Sequence, residues 1–124
     1  METVNFSKCK NEQEFKMLYI HRVLKPIYKH VFCIETEETI KGFPDVLCID
    51  DKGTTVFYEF KYANSKGKIK FQPTQPAFYR AHSDLHIAVV AYNPVKKQPV
   101  LFSAGCLFNP SAEIRMNEKG EVQL

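Results

Sequence analysis

Tryptophan is absent from this chain of 124 residues, glycine occurs five times, and no apolar run approaches the ~18 residues that a membrane-crossing helix requires. The first ten residues, METVNFSKCK, contain no apolar leader, so the expectation is a soluble, cytoplasmic protein without a membrane partner. Cysteine is sparse as well. Cys9, Cys33, Cys48 and Cys106 stand far apart and form no C-x-x-C pair, which argues against a zinc ribbon or a dithiol redox motif. They read as buried free thiols suited to a reducing compartment. His21, His30, His82 and His86 are scattered without zinc spacing and read as surface or core-edge residues. Neither a Gly-rich phosphate loop of the Walker type nor a G-x-S-x-G elbow occurs, which sets aside those two catalytic schemes. A large charge of one sign is also missing. A formal charge of +3 and a pI of about 8.6 permit a nucleic-acid partner without demanding one, so local clusters must make that case.

What is present is an ordinary globular composition, 44% hydrophobic and 25% charged, in a length that fits one domain over residues 1–124 and can bury a core without staples. No repeat, low-complexity tract or linker divides it. Residues 1–10 carry no strong pattern and read as an extended arm. From Asn11 onward Phe15, Leu18, Tyr19, Val23 and Ile27 recur near helical spacing, Asn11 and Glu14 form a capping-box pair, and Pro26 should end or kink the helix. Residues 30–40, HVFCIETEETI, read as a first strand, apolar and then acidic. Glu35, Glu37 and Glu38 are either a solvated strand end or extra metal ligands.

The centre of the chain is the stretch GFPDVLCIDDKGTTVFYEFK, residues 42–61. Apolar runs at 46–49 and 54–60 flank Asp50-Asp51-Lys52-Gly53, a hairpin signature with a Gly-containing loop. Side-chain alternation puts Phe57, Glu59 and Lys61 on one face and Val56, Tyr58 and Phe60 on the other. Asp45 follows Pro44 at the start of the preceding strand, where antiparallel pairing brings it beside Glu59 or Lys61. Two carboxylates and one ammonium thus converge at the strand ends; the plain alternative is a wet sheet face with ordinary surface charges.

Beyond Lys61 a polar loop holds Lys66, Lys68 and Lys70 around Gly67, either a solvated connection or a set of cations for phosphate. Residues 73–82 read as a second helix with Thr74 as N-cap and Pro76 in the first turn. Gln75 is then a first-turn residue bonding backbone, and Arg80, five residues on, is a surface or phosphate-binding residue. A buried strand is expected at 86–92, a further strand or strand pair at 100–108, and a terminal hairpin around the turn at 117–120.

Pro44-Asp45 followed by Glu59-Phe60-Lys61, with Glu59 fourteen positions after Asp45, resembles the signature of the PD-(D/E)XK, or restriction-endonuclease-like, nuclease superfamily. Within it, Gly42-Phe43-Pro44-Asp45 and Phe71-Gln72-Pro73-Thr74-Gln75 are most similar to the VRR-NUC group, related to the archaeal-type Holliday junction resolvases. The similarity runs from about residue 12 to residue 92. It implies an α/β fold with a restriction-endonuclease-like core: a central mixed sheet of about four to five strands flanked by helices, built from a helix, a three-strand meander, a second helix and a strand crossing back. It further implies Mg²⁺ or Mn²⁺ held by Asp45, Glu59, the backbone carbonyl of Phe60 and a first-helix glutamate, either Glu14 or its competitor Glu12. Asp45, Glu59, Lys61, Gln75 and Glu14 become the catalytic set, DNA the partner, and a homodimer the assembly.

The residue chemistry agrees with that implication. Aspartate and glutamate are hard oxygen ligands suited to these ions, and divalent ions provide both charge stabilisation and an activated water for phosphodiester hydrolysis. Lys61, on the same face as Glu59, can orient the attacking water and offset the crowding of carboxylates. Lys66, Lys68, Lys70 and Arg80 are the candidates for the DNA backbone, and Tyr62, Phe71 and Tyr79 lie near enough to stack on bases. Three classes of function follow: a metal-dependent deoxyribonuclease of repair or recombination, selective for branched or flap DNA; a nuclease-fold module that binds nucleic acid without cutting; and a protein-binding inhibitor such as a phage anti-host factor. The intact Asp45, Glu59 and Lys61 set favours the first, and the weak net charge the third.

Overall fold

The computed structural model describes residues 4–34 and 42–105, together with the backbone of 115–116 and 121–123. Helix α1, Glu12–Tyr19, starts on a reciprocal cap: Asn11 Oδ1 accepts the Glu14 N–H at 2.8 Å, and Glu14 Oε2 accepts the Lys10 N–H at 2.8 Å. A π-helical turn, Ile20–Leu24, leads into α2, Lys25–Ile27. The wider turn shifts the phase of the buried stripe, so Phe15 and Tyr19 are followed inside by Ile20 and Leu24. Val23 is only half-buried and Ile27 is 65% exposed, which corrects the simple helical stripe expected through both. Pro26 sits in the first turn of α2, where its missing N–H costs little, and the helix ends at Tyr28, whose backbone is extended.

Five strands form the main sheet in the order β1-β2-β3-β5-β6: β1 His30–Cys33, β2 Val46–Ile49, β3 Thr55–Tyr62, β5 Ile87–Asn93 and β6 Gln98–Ser103. The first three are an antiparallel meander, as expected. Asp50 closes its second turn, its Oδ1 accepting the N–H groups of Lys52 and Thr54 at 2.9 and 2.8 Å. Strand β5 runs parallel to β3, which demands a crossover, and helix α3, Thr74–Ala81, lies within it. The result is the mixed α/β sheet with flanking helices that the sequence implies. A second, small sheet joins β4, Lys68–Lys70, to β8, Glu121–Gln123, and β7, Arg115–Met116. The expected terminal hairpin is therefore present as the β7–β8 pair, with Lys68 opposite Gln123 and Lys70 opposite Glu121 across β4 and β8.

Alternation along β3 divides the core. Tyr58 and Phe60 face α1, where Phe60 meets Phe15 and Tyr19 edge-on at 6.0 and 5.6 Å. Phe57 faces the other way and packs with Val89 and Ala91 against Phe78 and Tyr79 of α3. Strand β1 ends at Cys33, short of the expected span, since Ile34 is no longer strand; residues 35–40, with Glu35, Glu37 and Glu38, lie outside the described residues. Of the described cysteines only Cys48 is buried, its thiol pushed up to about 11 by burial and then by Cys33. Cys33 is exposed and Cys9 half-buried, which corrects the expectation of uniformly buried thiols: β1 is an edge strand and cannot bury both faces. Among the described residues no helix is long and apolar enough to cross a membrane.

Candidate active site

Asp45 is placed by the three residues before it. Gly42, at φ +91°, passes so close to the first turn of α3 that a Cβ there would stand 2.3 Å from the Thr74 carbonyl oxygen. Only glycine fits both the left-handed backbone and that approach. Phe43 then wedges edge-on between Phe57 and Phe78, with ring centroids 5.5 and 5.4 Å away. The β2–β3 register pairs Val46 with Tyr58, so one step earlier the chain brings Asp45 opposite Glu59. Asp45 Oδ2 accepts the Phe60 N–H at 3.1 Å, which ties the carboxylate to the strand beside it.

Glu59 is only 4% exposed. Its Oε1 accepts Gln75 Nε2 at 2.7 Å and lies 3.8 Å from Lys61 Nζ, while its Oε2 is buried with no hydrogen-bond partner among the described residues. Burial first, then the Asp45 charge, push its carboxyl up to about 8; Lys61 and the Gln75 hydrogen bond pull the other way without prevailing. Lys61 Nζ donates to Gln75 Oε1 at 2.8 Å and sits 4.9 Å above the centre of the Phe71 ring. Gln75 Oε1 also accepts the Gln72 N–H at 2.9 Å, so this residue both bonds local backbone and reaches the carboxylate. That double use corrects the expected cap: Pro73 holds the N-cap position, no side chain caps the helix there, and Thr74 is already helical.

Asp45, Glu59, Lys61 and Gln75 are thus brought together, and Phe60 enters through its N–H. Glu14 is not: its carboxylate is engaged in the α1 cap. Glu12 is the helix residue that feels the site. Its carboxyl is raised, foremost by desolvation, pulled down by Lys61 and raised again by Asp45; the residue is exposed overall, which limits the rise. Two residues apart on a helix point to nearly opposite sides, so only one of the pair could face the strands. Glu12 precedes the fully buried Phe15 by three residues and shares its face, a spacing legible in the sequence.

The cations sort differently from expectation. Lys61, Lys68 and Lys70 line a cavity of about 710 Å³ together with Glu12, whereas Lys66 is exposed outside that lining. Arg80 is exposed about 140° around α3 from Gln75 and does not join the group. Phe71 and Tyr79 are 0% and 1% exposed, so neither can stack on a base; both belong to the core beneath α3. The Tyr79 hydroxyl is buried without a partner among the described residues and is raised by burial and by Glu59 and Asp45. Tyr62 is half-buried and borders the cavity, its hydroxyl donating to the Cys9 carbonyl at 3.2 Å. Pro94 and Val95 also lie on the cavity; in the sequence they fall between the expected strands at 86–92 and 100–108, where only the Asn93-Pro94 dipeptide carries a signal, that of a turn.

Among the described residues no three His, Cys, Asp or Glu side chains form a ready metal cage. The bare Glu59 Oε2 beside Asp45 nonetheless fits a hard divalent cation, since it is a buried acceptor that nothing in the described protein satisfies. The sequence matches no protein-family model and no curated protein.

Proposed function

We propose that the protein is a metal-dependent nuclease of the PD-(D/E)XK superfamily, hydrolysing phosphodiester bonds in DNA, with branched or flap DNA as the substrate class that its resemblance to the VRR-NUC group implies. The observation carrying this reading is Glu59, a buried carboxyl with one oxygen held by Gln75 and the other bare, opposite a second carboxylate. Burying carboxylates together is unfavourable unless a cation shares the place, and a surface that only binds DNA has no use for them. Asp45 and Glu59, with the Phe60 carbonyl that the resemblance adds and Glu12 as the helix carboxylate, would hold Mg²⁺ or Mn²⁺. Such an ion supplies charge stabilisation at the phosphoryl oxygens and a lower pKa for the attacking water.

The chain's own residues supply the positioning. Lys61, fixed by the Gln75 amide, orients the attacking water and balances charge that develops at the phosphate. Lys68 and Lys70 neutralise the adjoining backbone. The same reading takes the protein to be cytoplasmic and, from the resemblance to junction resolvases, a homodimer. The test is cleavage of labelled single-stranded, duplex, flap and four-way-junction DNA with Mg²⁺, Mn²⁺ or chelator. Metal-dependent cleavage of at least one substrate is expected. No cleavage of any of them with either metal would overturn the reading in favour of a binding module or a protein-binding inhibitor.

A further inference from the structure

The cavity beside the carboxylates has one wall built from two turns that brace each other. In the first, Asn64 Oδ1 accepts the N–H groups of Lys66 and Lys68 at 2.9 and 3.0 Å. In the second, the buried Asn93 accepts the N–H groups of Val95 and Lys96 through its Oδ1 at 2.9 and 3.2 Å, and the Lys97 N–H returns to its carbonyl at 2.7 Å. The turns meet at Gly67, at φ +77°, where a Cβ would stand 3.4 Å from Asn93 Nδ2. Side chains that bond their own backbone hold such turns in place without a ligand, so the cavity is preformed.

Two groups of side chains in its lining bear on a ligand, beside the carboxylate of Glu12 and the polar Tyr62, Asn64 and Ser65. Lys61, Lys68 and Lys70 supply cations, and Lys68 and Lys70, two apart on β4, share a face about 6.6 Å apart with Ile69 buried behind them. Pro94 and Val95 supply an apolar ledge, with Val95 63% exposed. Lys61 and Glu12 mark the end nearest Asp45 and Glu59. Ammonium groups in a cavity that adjoins the carboxylates, with an apolar ledge in the same cavity, suit a chain that carries anions on one side and flat apolar faces on the other. At about 710 Å³ the cavity has room for a small number of nucleotides, and the base faces of a double helix are stacked inside it, away from such a ledge.

We propose that this cavity is a single-strand subsite, which takes an unpaired DNA nucleotide adjoining the phosphate at Asp45 and Glu59, with its phosphate on Lys68 and Lys70 and its base against Pro94 and Val95. Only the assignment of the neighbouring phosphate rests on the nuclease reading; the binding itself does not require cleavage. Lys68 is the probe of choice of the two lysines, because it is half-buried in the lining whereas Lys70 is exposed.

The experiment measures equilibrium binding of a fluorescent single-stranded oligodeoxythymidylate and of a blunt duplex of equal length, in chelator and over a range of salt. Wild-type protein should prefer the single strand by about tenfold or more. Lys68→Ala should weaken that binding about three- to tenfold and reduce the salt slope by about one. Val95→Asp should weaken single-strand binding by a similar factor while leaving the duplex unchanged, and Lys25→Ala on α2 should alter neither. Thermal melts of both cavity variants, expected to match wild type, separate lost binding from lost folding. Equal affinity for the two DNAs, or single-strand affinity unmoved in both folded cavity variants, overturns the subsite. Cleavage that persists alongside that result leaves the nuclease reading standing, and single-strand binding as described with no cleavage under any metal leaves the subsite without the nuclease.

Discussion

Gln75 Nε2 donates to Glu59 Oε1 across 2.7 Å, joining the first turn of α3 to the middle of the central strand β3. The same amide group accepts from Lys61 through its oxygen, so one neutral side chain separates an acid from a base that stand 3.8 Å apart and fixes the orientation of both. An amide is the side-chain type suited to that position, because it offers a donor and an acceptor at once.

Gln75→Leu removes the bonds to Glu59, Lys61 and the Gln72 N–H and leaves both buried Glu59 oxygens without a hydrogen-bond partner, with Lys61 Nζ 3.8 Å from one of them. Stability should fall by about 1–3 kcal/mol at neutral pH, the cost of stranding a buried polar group. Urea unfolding checks it, and a loss below about 0.5 kcal/mol would show that the amide is not holding the pair.

Metal-free stability should decline as pH rises from about 5 to 8. The folded protein keeps the Glu59 proton up to about pH 8, whereas the unfolded chain releases it near 4.5; between those values the native state binds more protons. The contribution is fully present below the lower value and is lost as pH passes the upper one, a change on the order of a few kcal/mol. Glu59→Gln should flatten that slope, and Mg²⁺ should restore stability most at the alkaline end. Melting temperatures measured across the range, with and without Mg²⁺, decide the matter.

Mg²⁺ or Mn²⁺ should raise the melting temperature of wild-type protein by mass action. Asp45→Ala and Glu59→Ala should abolish the rise, and Glu12→Gln should reduce it. Glu14→Gln should keep it in full while lowering the metal-free stability by about 0.5–1 kcal/mol through the weakened cap. A metal response lost in Glu14→Gln but intact in Glu12→Gln would reverse this assignment of the two glutamates.

Lys61→Ala should lower metal-dependent DNA cleavage by a factor on the order of 10²–10⁴, typical of a positioned acid–base group, with affinity changing less than about tenfold. Single-turnover rates and binding measured side by side separate the two effects. Equal cleavage by the variant would leave the fold intact and remove Lys61 from the chemistry.

Gly42→Ala should be among the most damaging small substitutions in the chain. The added methyl would meet the Thr74 carbonyl at 2.3 Å, and the φ of +91° disfavours any side chain. A loss of more than about 2 kcal/mol is expected, together with a displaced Asp45 and a weaker Mg²⁺ response. Wild-type stability in this variant would show that the segment 42–45 can shift away from α3 without cost.

The amino-acid sequence alone determined the features that depend on neighbours along the chain. Alternation put Glu59 and Lys61 on one face of a strand, Asp50 and Gly53 closed the hairpin, and Asn11 and Glu14 capped α1, while the α/β sheet was what the resemblance around Asp45, Glu59 and Lys61 implied. Tertiary structure decided what depends on neighbours through space. The π turn moved the buried stripe of the first helix from Val23 and Ile27 to Ile20 and Leu24, the packing of α3 on the sheet buried Phe71 and Tyr79 that could otherwise have met bases, and the helix phase put Glu12 on the cavity with Lys61 while leaving Glu14 on the cap. The sorting of Lys68 and Lys70 from Lys66 likewise required β4 to form and the turns at Asn64 and Asn93 to meet. Local spacing specifies which side of an element a residue occupies; what lies against that side is set only when distant segments pack, since contacts between residues far apart in sequence leave no periodic trace in it.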